Sequence, residues 1–252
     1  MAKRPSSTLT WLFDLDNTLH DASHAIFPAI NVNMNRYMAQ VLGGDGVAAD
    51  AATVNAVRQA YWRRYGATLL GMVMHHQVRA EEFLREAHRF DDLTQMIRAE
   101  RGLGRLLKRL PGTKILLTNA PRAYSHAVLR HLGLHRHFVR HIPIEAMYVH
   151  RTLRPKPSKP LLRKILAREG IAARRCVLVE DTVGNLKAAK ALGLRTAWIT
   201  RYLGDTVNFP AGGVASARMK LTRRPAYVDV KVKSIGGLSK SLRQLRGSRS
   251  PE

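Results

Sequence analysis

A short apolar run in this chain stops abruptly at two carboxylates, and this limits the folds that the chain can adopt. Residues 9–13 read Leu-Thr-Trp-Leu-Phe and lead directly into Asp14 and Asp16. An apolar run of this length, bounded by polar residues, is typical of a buried strand. The sequence therefore predicts a first buried strand whose carboxyl end carries two acidic side chains.

The same pattern recurs twice in the second part of the chain. The later runs are residues 114–118, which end at Thr118 and Asn119, and residues 176–179, which lead into Glu180 and Asp181. Shorter strands are predicted near residues 146–148, 195–199 and 226–230, with helical stretches between them. Strands that alternate with helices predict βαβ units and a parallel sheet. Because the carboxyl ends of parallel strands line one edge, we expect the polar side chains to converge there.

The segment between the first two strands has a different pattern. From about residue 24 to residue 100, apolar residues recur at spacings of three and four, and Asp50 is a candidate helix N-cap. We therefore predict an α/β core interrupted by an all-helical insert. The predicted bounds are residues 1–19 and 101–240 for the core, 20–100 for the insert and 241–252 for a basic C-terminal tail. Residues 203–225, rich in Gly, Pro and Ala, predict a long surface loop.

The charge of the chain is strongly asymmetric. Its 252 residues contain 42 Lys and Arg against 18 Asp and Glu, a formal net charge of +24. Residues 1–100 hold ten basic and eleven acidic side chains, so residues 101–252 carry a net charge of +25. Such a field suits nucleic acid, an anionic surface or a phosphorylated substrate, or it is a compositional trait with solvated side chains.

Composition limits the class and the compartment. A hydrophobic fraction of 45% excludes a disordered chain. No apolar window approaches the roughly 20 residues of a membrane helix, so we expect no membrane contact. The single cysteine, Cys176, excludes an internal disulfide and is expected to be buried and unreactive. We therefore expect a cytoplasmic protein.

The predicted cluster of carboxylates implies a cation. Three carboxylates at one sheet edge repel one another, and an all-oxygen set of ligands suits Mg²⁺. Lys156 lies in a loop stiffened by Pro155, Pro157 and Pro160. Its ammonium would offset the remaining negative charge and hold an anionic substrate, although other basic residues lie nearby in the sequence.

These residue types together predict phosphoryl transfer. Asp14 can attack phosphorus to give an aspartyl-phosphate, which splits the reaction into two easier steps. Asp16 can protonate the leaving oxygen and then activate water. The Thr118 hydroxyl and the Asn119 backbone N–H are predicted donors to the phosphate oxygens.

The four segments resemble the four motifs of the haloacid dehalogenase-like phosphohydrolases. They are the D-x-D-x-T run at residues 14–18, the strand that ends at Thr118, Lys156 in its loop, and the pair Glu180-Asp181. The resemblance implies a Rossmann-like, doubly wound parallel core, a C1-type helical cap and a Mg²⁺ cofactor. It also implies metal ligands from Asp14, Asp181 and the Asp16 backbone carbonyl, with Glu180 in a supporting or water-mediated contact. Dehalogenases of this superfamily usually lack the second Asp, so Asp16 argues against dehalogenation.

Four stretches are similar to the pyrimidine 5'-nucleotidase branch of that superfamily. They are residues 13–19, 65–71, 117–119 and 180–185. This similarity implies that Tyr65 and Thr68 of the cap contact the substrate. That branch often carries Asp where this chain has Glu180.

Three functions are consistent with these features. The leading hypothesis is a Mg²⁺-dependent phosphomonoesterase acting on a small phosphorylated metabolite, with a pyrimidine nucleoside 5'-monophosphate as the best single guess. The second is a phosphatase of nucleic-acid ends or phosphoproteins that docks through the basic half. The third is a basic nucleic-acid-binding protein with a vestigial site; the intact motifs, and the lack of any known nucleic-acid-binding motif, argue against it.

Overall fold

The computed structural model describes residues 9–203 and 223–246 of the chain. These residues form two compact units. One comprises residues 9–22, 97–203 and 224–246, and the other comprises residues 23–96 together with residue 223. The loop predicted at residues 203–225 lies almost entirely outside the described residues, as does the last half of the predicted tail, residues 247–252.

The first unit is built on a parallel sheet. The strands of the described residues are β1 (Thr10–Phe13), β2 (Thr113–Leu117), β3 (Arg140–Ile142), β4 (Tyr148–Val149), β5 (Thr152–Leu153), β6 (Cys176–Glu180), β7 (Arg195–Ile199) and β8 (Val230–Val232). Six of them form one sheet in the order β3-β2-β1-β6-β7-β8, with every neighbouring pair parallel. The predicted α/β fold with a doubly wound parallel sheet is confirmed.

The strand order reverses at β1, and this reversal positions the polar residues. Strand β1 pairs with β2 on one side and with β6 on the other. Phe13 is aligned with Leu116 and with Val179. The residues that follow these three positions therefore lie side by side at one edge, where open α/β sheets bind their ligands.

Helices flank the strands in sequence. The α-helices of the described residues are α1 (Ile26–Leu42), α2 (Ala51–Tyr65), α3 (Thr68–His75), α4 (Ala80–Ala87), α5 (Leu93–Met96), α6 (Leu103–Arg109), α7 (Arg122–His131), α8 (Lys159–Glu169), α9 (Val183–Lys190) and α10 (Leu242–Arg246). Helix α8 begins where Ser158 Oγ accepts a hydrogen bond from the Leu161 N–H, at 3.2 Å. It ends at Gly170, whose φ of +63° suits glycine.

Helices α1 to α5 all belong to the second unit, in which the described residues form no strand beyond an isolated bridge between Gly44 and Val47. Asp50 is the predicted N-cap of α2, and its carboxylate accepts from the Thr53 N–H at 2.7 Å. The rings of Tyr37 and Phe83 pack edge to face, 5.7 Å apart, between α1 and α4. None of the helices formed by the described residues is long and apolar enough to cross a membrane.

The structure differs from the predicted strands at three places. The strand β3 was not predicted, because Arg-His-Ile is too short and too polar to stand out; it forms at the edge where β2 offers a partner. The strand predicted near residues 146–148 is a two-residue hairpin arm, β4, paired with β5 outside the main sheet. The strand predicted at residues 226–230 begins only at Val230, because the preceding residues form a turn closed by the Val228 N–H to Pro225 carbonyl bond.

Candidate active site

Asp14 follows β1 at the strand reversal and is almost fully buried, with 6% of its surface exposed. One carboxylate oxygen, Oδ1, accepts a hydrogen bond from the Lys156 ammonium at 2.5 Å. The other, Oδ2, accepts from the Thr18 hydroxyl at 3.3 Å. A carboxylate buried in this way needs a charge partner, and Lys156 supplies it.

Lys156 is buried between two carboxylates. Its Nζ lies 2.5 Å from Asp14 Oδ1 and 3.4 Å from Glu180 Oε1. Burial acts to lower the pKa of Lys156, but the charges of Asp14 and Glu180 outweigh it and raise that pKa above its ordinary value. The prediction named Lys156 among several basic neighbours, and Lys156 is the one that reaches Asp14.

The Asn119 side chain holds the loop that carries Lys156. Its Oδ1 accepts from the Lys156 backbone N–H at 2.9 Å, and its Nδ2 donates to the Lys156 carbonyl at 3.1 Å. This pair of bonds ties the end of β2 to a loop 37 residues away. The sequence predicted a role only for the Asn119 backbone N–H. The structural role of the Asn119 side chain was not predicted.

Three carboxylates converge beside Lys156. Asp14, Glu180 and Asp181 each place an oxygen within 4.8 Å of the others. Glu180 is fully buried; its Oε1 accepts from Asn185 Nδ2, while its Oε2 has no hydrogen-bond partner among the described residues. Burial and the neighbouring Asp14 charge raise the pKa values of both Glu180 and Asp181.

This cluster fits a divalent cation. Carboxylates brought together in a buried place repel one another, and a cation among them relieves the repulsion. The donors are all oxygen, as Mg²⁺ prefers, and the unpartnered Glu180 Oε2 offers a further ligand atom. Glu180 thus belongs to the side-chain cluster, whereas the Asp16 carboxylate is not part of it. The metal role expected of the Asp16 backbone carbonyl stays a prediction.

The Asp16 carboxylate instead contacts a histidine and a tyrosine. Its Oδ1 lies 2.9 Å from His20 Nε2 and accepts from the Tyr124 hydroxyl at 2.6 Å. Burial and the Asp16 charge raise the pKa of Tyr124 well above its ordinary value, so the phenol keeps its proton and donates. Neither His20 nor Tyr124 was predicted. His20 lies four residues after Asp16, a spacing that is visible in the sequence. Tyr124 lies 108 residues from Asp16, so no local pattern links the two.

Thr118 directly follows β2, at the end of the predicted apolar run, and is fully buried. Its Oγ1 accepts from the Ala120 N–H at 3.1 Å. This bond uses an acceptor site of the hydroxyl and fixes its position, while the hydroxyl proton stays available for donation. The arrangement is compatible with the predicted donor role.

Tyr65 and Thr68 belong to the second unit. The Tyr65 hydroxyl pairs with His75 Nε2 at 2.5 Å, and the Tyr61 hydroxyl pairs with His76 Nε2 at 2.6 Å. Thr68 is the first residue of α3. The substrate contacts expected of Tyr65 and Thr68 stay a prediction.

Cys176 is fully buried in β6, as predicted. Burial raises the pKa of its thiol to about 12. The thiol therefore stays protonated and is a poor nucleophile.

The α/β core gathers acidic and basic side chains at its strand reversal, the edge where such sheets bind ligands, and the sequence comparison identifies the family. The chain belongs to the haloacid dehalogenase-like hydrolases, whose family model it matches over residues 10–193. That range includes every residue of the site described above. The family predicted from the four motifs is thereby confirmed.

Individual relatives are more distant. A 5'-nucleotidase of Pseudomonas aeruginosa is 27% identical over 193 residues, which cover 73% of this chain and 78% of that protein. Among solved structures, a HAD phosphatase from Thermococcus onnurineus has a TM-score of 0.60 at 16% identity, covering 95% of this chain and all of that one. L-2-haloacid dehalogenase from Xanthobacter autotrophicus has a TM-score of 0.57 at 16% identity, covering 93% of this chain and 98% of that one. The structural likenesses show the shared fold.

Proposed function

We propose that this hydrolase is a Mg²⁺-dependent phosphomonoesterase that works through an aspartyl-phosphate. The proposal rests on one observation above all, the contact of 2.5 Å between Lys156 Nζ and Asp14 Oδ1 inside a cluster of three carboxylates. A carboxylate flanked by a fixed ammonium and a cation site is well suited to meet a dianionic phosphate. The positive groups offset the repulsion between nucleophile and substrate.

The chain's own residues supply both proton transfers and the nucleophile. In the first step a carboxylate oxygen of Asp14 attacks phosphorus, the ester P–O bond breaks, and Asp16 gives its proton to the leaving oxygen. In the second step water attacks the phosphorus of the aspartyl-phosphate, its proton goes to Asp16, and the bond between Asp14 and phosphorus breaks. Inorganic phosphate leaves, and both carboxyl groups return to their starting states.

Asp14, Glu180 and Asp181 would hold the metal. Bound there, Mg²⁺ would supply positive charge to the phosphoryl oxygens as negative charge develops on them. Lys156 and the Thr118 hydroxyl would orient those oxygens, and Asn119 would keep Lys156 in place through its two bonds to the loop backbone.

For the substrate we propose a pyrimidine nucleoside 5'-monophosphate. The support is the similarity to the 5'-nucleotidase of Pseudomonas aeruginosa and the nucleotidase-like sequence stretches, with Tyr65 and Thr68 as proposed substrate contacts. We also keep the expectation that the protein works in the cytoplasm.

The test is phosphate release from a panel of nucleoside monophosphates, sugar phosphates, phosphoamino acids and 4-nitrophenyl phosphate. We expect turnover in Mg²⁺, none after exhaustive chelation with EDTA, and recovery when Mg²⁺ is restored. Full activity in EDTA would contradict the metal-dependent mechanism. Preference for another class of phosphomonoester would contradict the nucleotide assignment alone.

The net charge of +25 on residues 101–252 favours nucleic acid as a second candidate ligand. The dependence on salt concentration distinguishes a small phosphorylated substrate from nucleic acid. Raising NaCl from about 50 to 200 mM should lower kcat/KM for a small dianion only modestly. Binding of an oligonucleotide through six to ten phosphates should instead weaken by about a thousandfold or more over that range. Submicromolar, steeply salt-dependent binding of a single-stranded oligonucleotide would promote the second candidate.

A further inference from the structure

Two buried side chains hold the same oxygen of Asp16. Tyr124, in α7, is 3% exposed, and His20 is completely buried. Both contact Oδ1, at 2.6 Å from the Tyr124 hydroxyl and 2.9 Å from His20 Nε2. The hydroxyl and Nε2 also lie 3.3 Å from each other. Because a carboxylate only accepts hydrogen bonds, the proton of His20 lies on Nε2 when Asp16 is ionised.

This geometry fixes the rotation of the carboxylate. A carboxylate oxygen has two lone-pair sites, and two donors from different parts of the chain occupy both sites of Oδ1. Turning the Asp16 carboxylate about its last side-chain bond would break both bonds at once. The Asp16 side chain is nevertheless 16% exposed, whereas that of His20 is not exposed. Tyr124 and His20 therefore anchor the Asp16 carboxyl group, which is still partly accessible to solvent.

The fold alone does not require these polar groups. Burying a hydroxyl and an imidazole costs free energy unless both are hydrogen-bonded. His20 Nδ1 has no partner among the described residues, so this cost is only partly offset. Phenylalanine or leucine would fill the same space without it. Two polar side chains whose burial costs free energy both contact one carboxylate. This indicates that they have a functional role at that carboxylate.

We propose that Tyr124 and His20 are positioning residues that hold the Asp16 carboxyl group through Oδ1 while it exchanges a proton with the leaving oxygen and with water. This inference rests on the proposed function. In the first step the Asp16 proton passes to the leaving oxygen as the ester P–O bond breaks. In the second step a proton of the attacking water passes to Asp16 as the bond between phosphorus and Asp14 breaks.

The test compares two leaving groups. A weakly basic leaving group departs with little general acid catalysis, whereas an alkoxide requires protonation by a general acid. The rate of phosphoenzyme formation is measured by rapid quench with saturating Mg²⁺. The substrates are 4-nitrophenyl phosphate and uridine 5'-monophosphate, the latter replaced by another alkyl monoester if the wild type prefers one. The variants are Tyr124→Phe, His20→Leu and His20→Gln, whose amide can donate from nearly the position of Nε2. Tyr148→Phe, at an exposed tyrosine of the same unit, is the matched control.

We expect Tyr124→Phe and His20→Leu to slow phosphoenzyme formation from the alkyl ester by about tenfold or more, and from the aryl ester by less than about threefold, since general acid catalysis matters most for the basic leaving group. KM should change little, His20→Gln should recover part of the loss, and Tyr148→Phe should behave as wild type. If His20→Leu does not fold, Tyr124→Phe and His20→Gln carry the test.

Equal slowing for both esters would assign the two residues a structural role and overturn the inference, as would no slowing for either. Both outcomes leave the proposed function standing, because the wild type still forms a phosphoenzyme. A wild type that forms none from any ester would instead contradict the proposed function, and this inference with it.

Discussion

Asp14 and Asp16 lie two residues apart after β1, yet the two sides of this loop are built differently. On the Asp14 side the partners are charged: Lys156 at 2.5 Å, with Glu180 and Asp181 close by. On the Asp16 side the partners are the neutral hydroxyl of Tyr124 and the imidazole of His20. The charged side is sensitive to any change in ion content, whereas the Asp16 side depends on hydrogen-bond direction.

The two sets of partners suit two chemical roles within one short loop. A buried nucleophile that must meet an anion needs compensating positive charge, and Lys156 with a cation provides it. A group that gives and takes a proton must change its charge during each cycle. A fixed ammonium beside it would oppose the protonated state, whereas the neutral Tyr124 hydroxyl constrains its position with a smaller electrostatic bias.

The largest expected effect is that of Asp14→Asn. The amide is nearly isosteric but a poor nucleophile, so turnover should fall by about a thousandfold or more, as for removal of other enzymatic nucleophiles. No phosphoenzyme should form from any ester, while circular dichroism should show an intact fold. Turnover like that of the wild type would place the nucleophile elsewhere.

Asp16→Asn should distinguish the role of Asp16 from that of Asp14. The variant keeps the nucleophile and its charged partners, so it should still form a phosphoenzyme from 4-nitrophenyl phosphate. Water would then lack its base, and steady-state turnover should fall by about a hundredfold or more. Rapid quench should detect the accumulated aspartyl-phosphate. Failure to form any phosphoenzyme would contradict the division of roles between Asp14 and Asp16.

Lys156→Ala removes the fixed charge of the Asp14 side. Both kcat and phosphate affinity should fall, kcat/KM by at least about tenfold, equivalent to about 1.4 kcal/mol. Without Mg²⁺, the free energy of unfolding should drop by about 3–5 kcal/mol, because two buried carboxylates lose their partner. Urea unfolding in EDTA measures this.

Lys159→Ala, at an exposed lysine three residues on, is the matched control and should leave both quantities unchanged. A neutral Lys156→Ala beside a damaging Lys159→Ala would move the role to Lys159.

Most of the Asp14 side could be predicted from sequence, because its residues follow strands. Asp14, Thr118 and Glu180 each end an apolar run, and parallel pairing then brings strand ends to one edge. The partners of Asp16 lack such a signal. Tyr124 is one aromatic residue on an amphipathic helix, and its burial alone predicts packing. Only the three-dimensional fold turns its hydroxyl toward a carboxylate 108 residues away.

Glu180→Gln tests whether the charged side binds the cation through all three carboxylates. The amide keeps the size of the side chain but loses a charge, so the Mg²⁺ concentration that gives half-maximal activity should rise by about tenfold. The rise in melting temperature caused by Mg²⁺ should shrink in parallel. Glu169→Gln, at a surface-paired glutamate of α8, is the control. An unchanged Mg²⁺ dependence would exclude Glu180 from the metal site.

The smallest expected effect concerns the support behind Asp181. The Trp198 indole donates to the Asp181 backbone carbonyl at 2.8 Å, and the Trp11 indole donates to the Pro111 carbonyl at the same distance. Both tryptophans are fully buried, so Trp198→Phe and Trp11→Phe should each cost about 1–3 kcal/mol of unfolding free energy through an unsatisfied carbonyl. Only Trp198→Phe removes a bond at a residue of the carboxylate cluster, and it should weaken Mg²⁺ binding by about fivefold, equivalent to about 1 kcal/mol. Calorimetric titration with Mg²⁺ compares the two variants. Equal Mg²⁺ affinities would mean that the position of Asp181 is fixed by β6 itself, and that the charged side of the loop needs no support from β7.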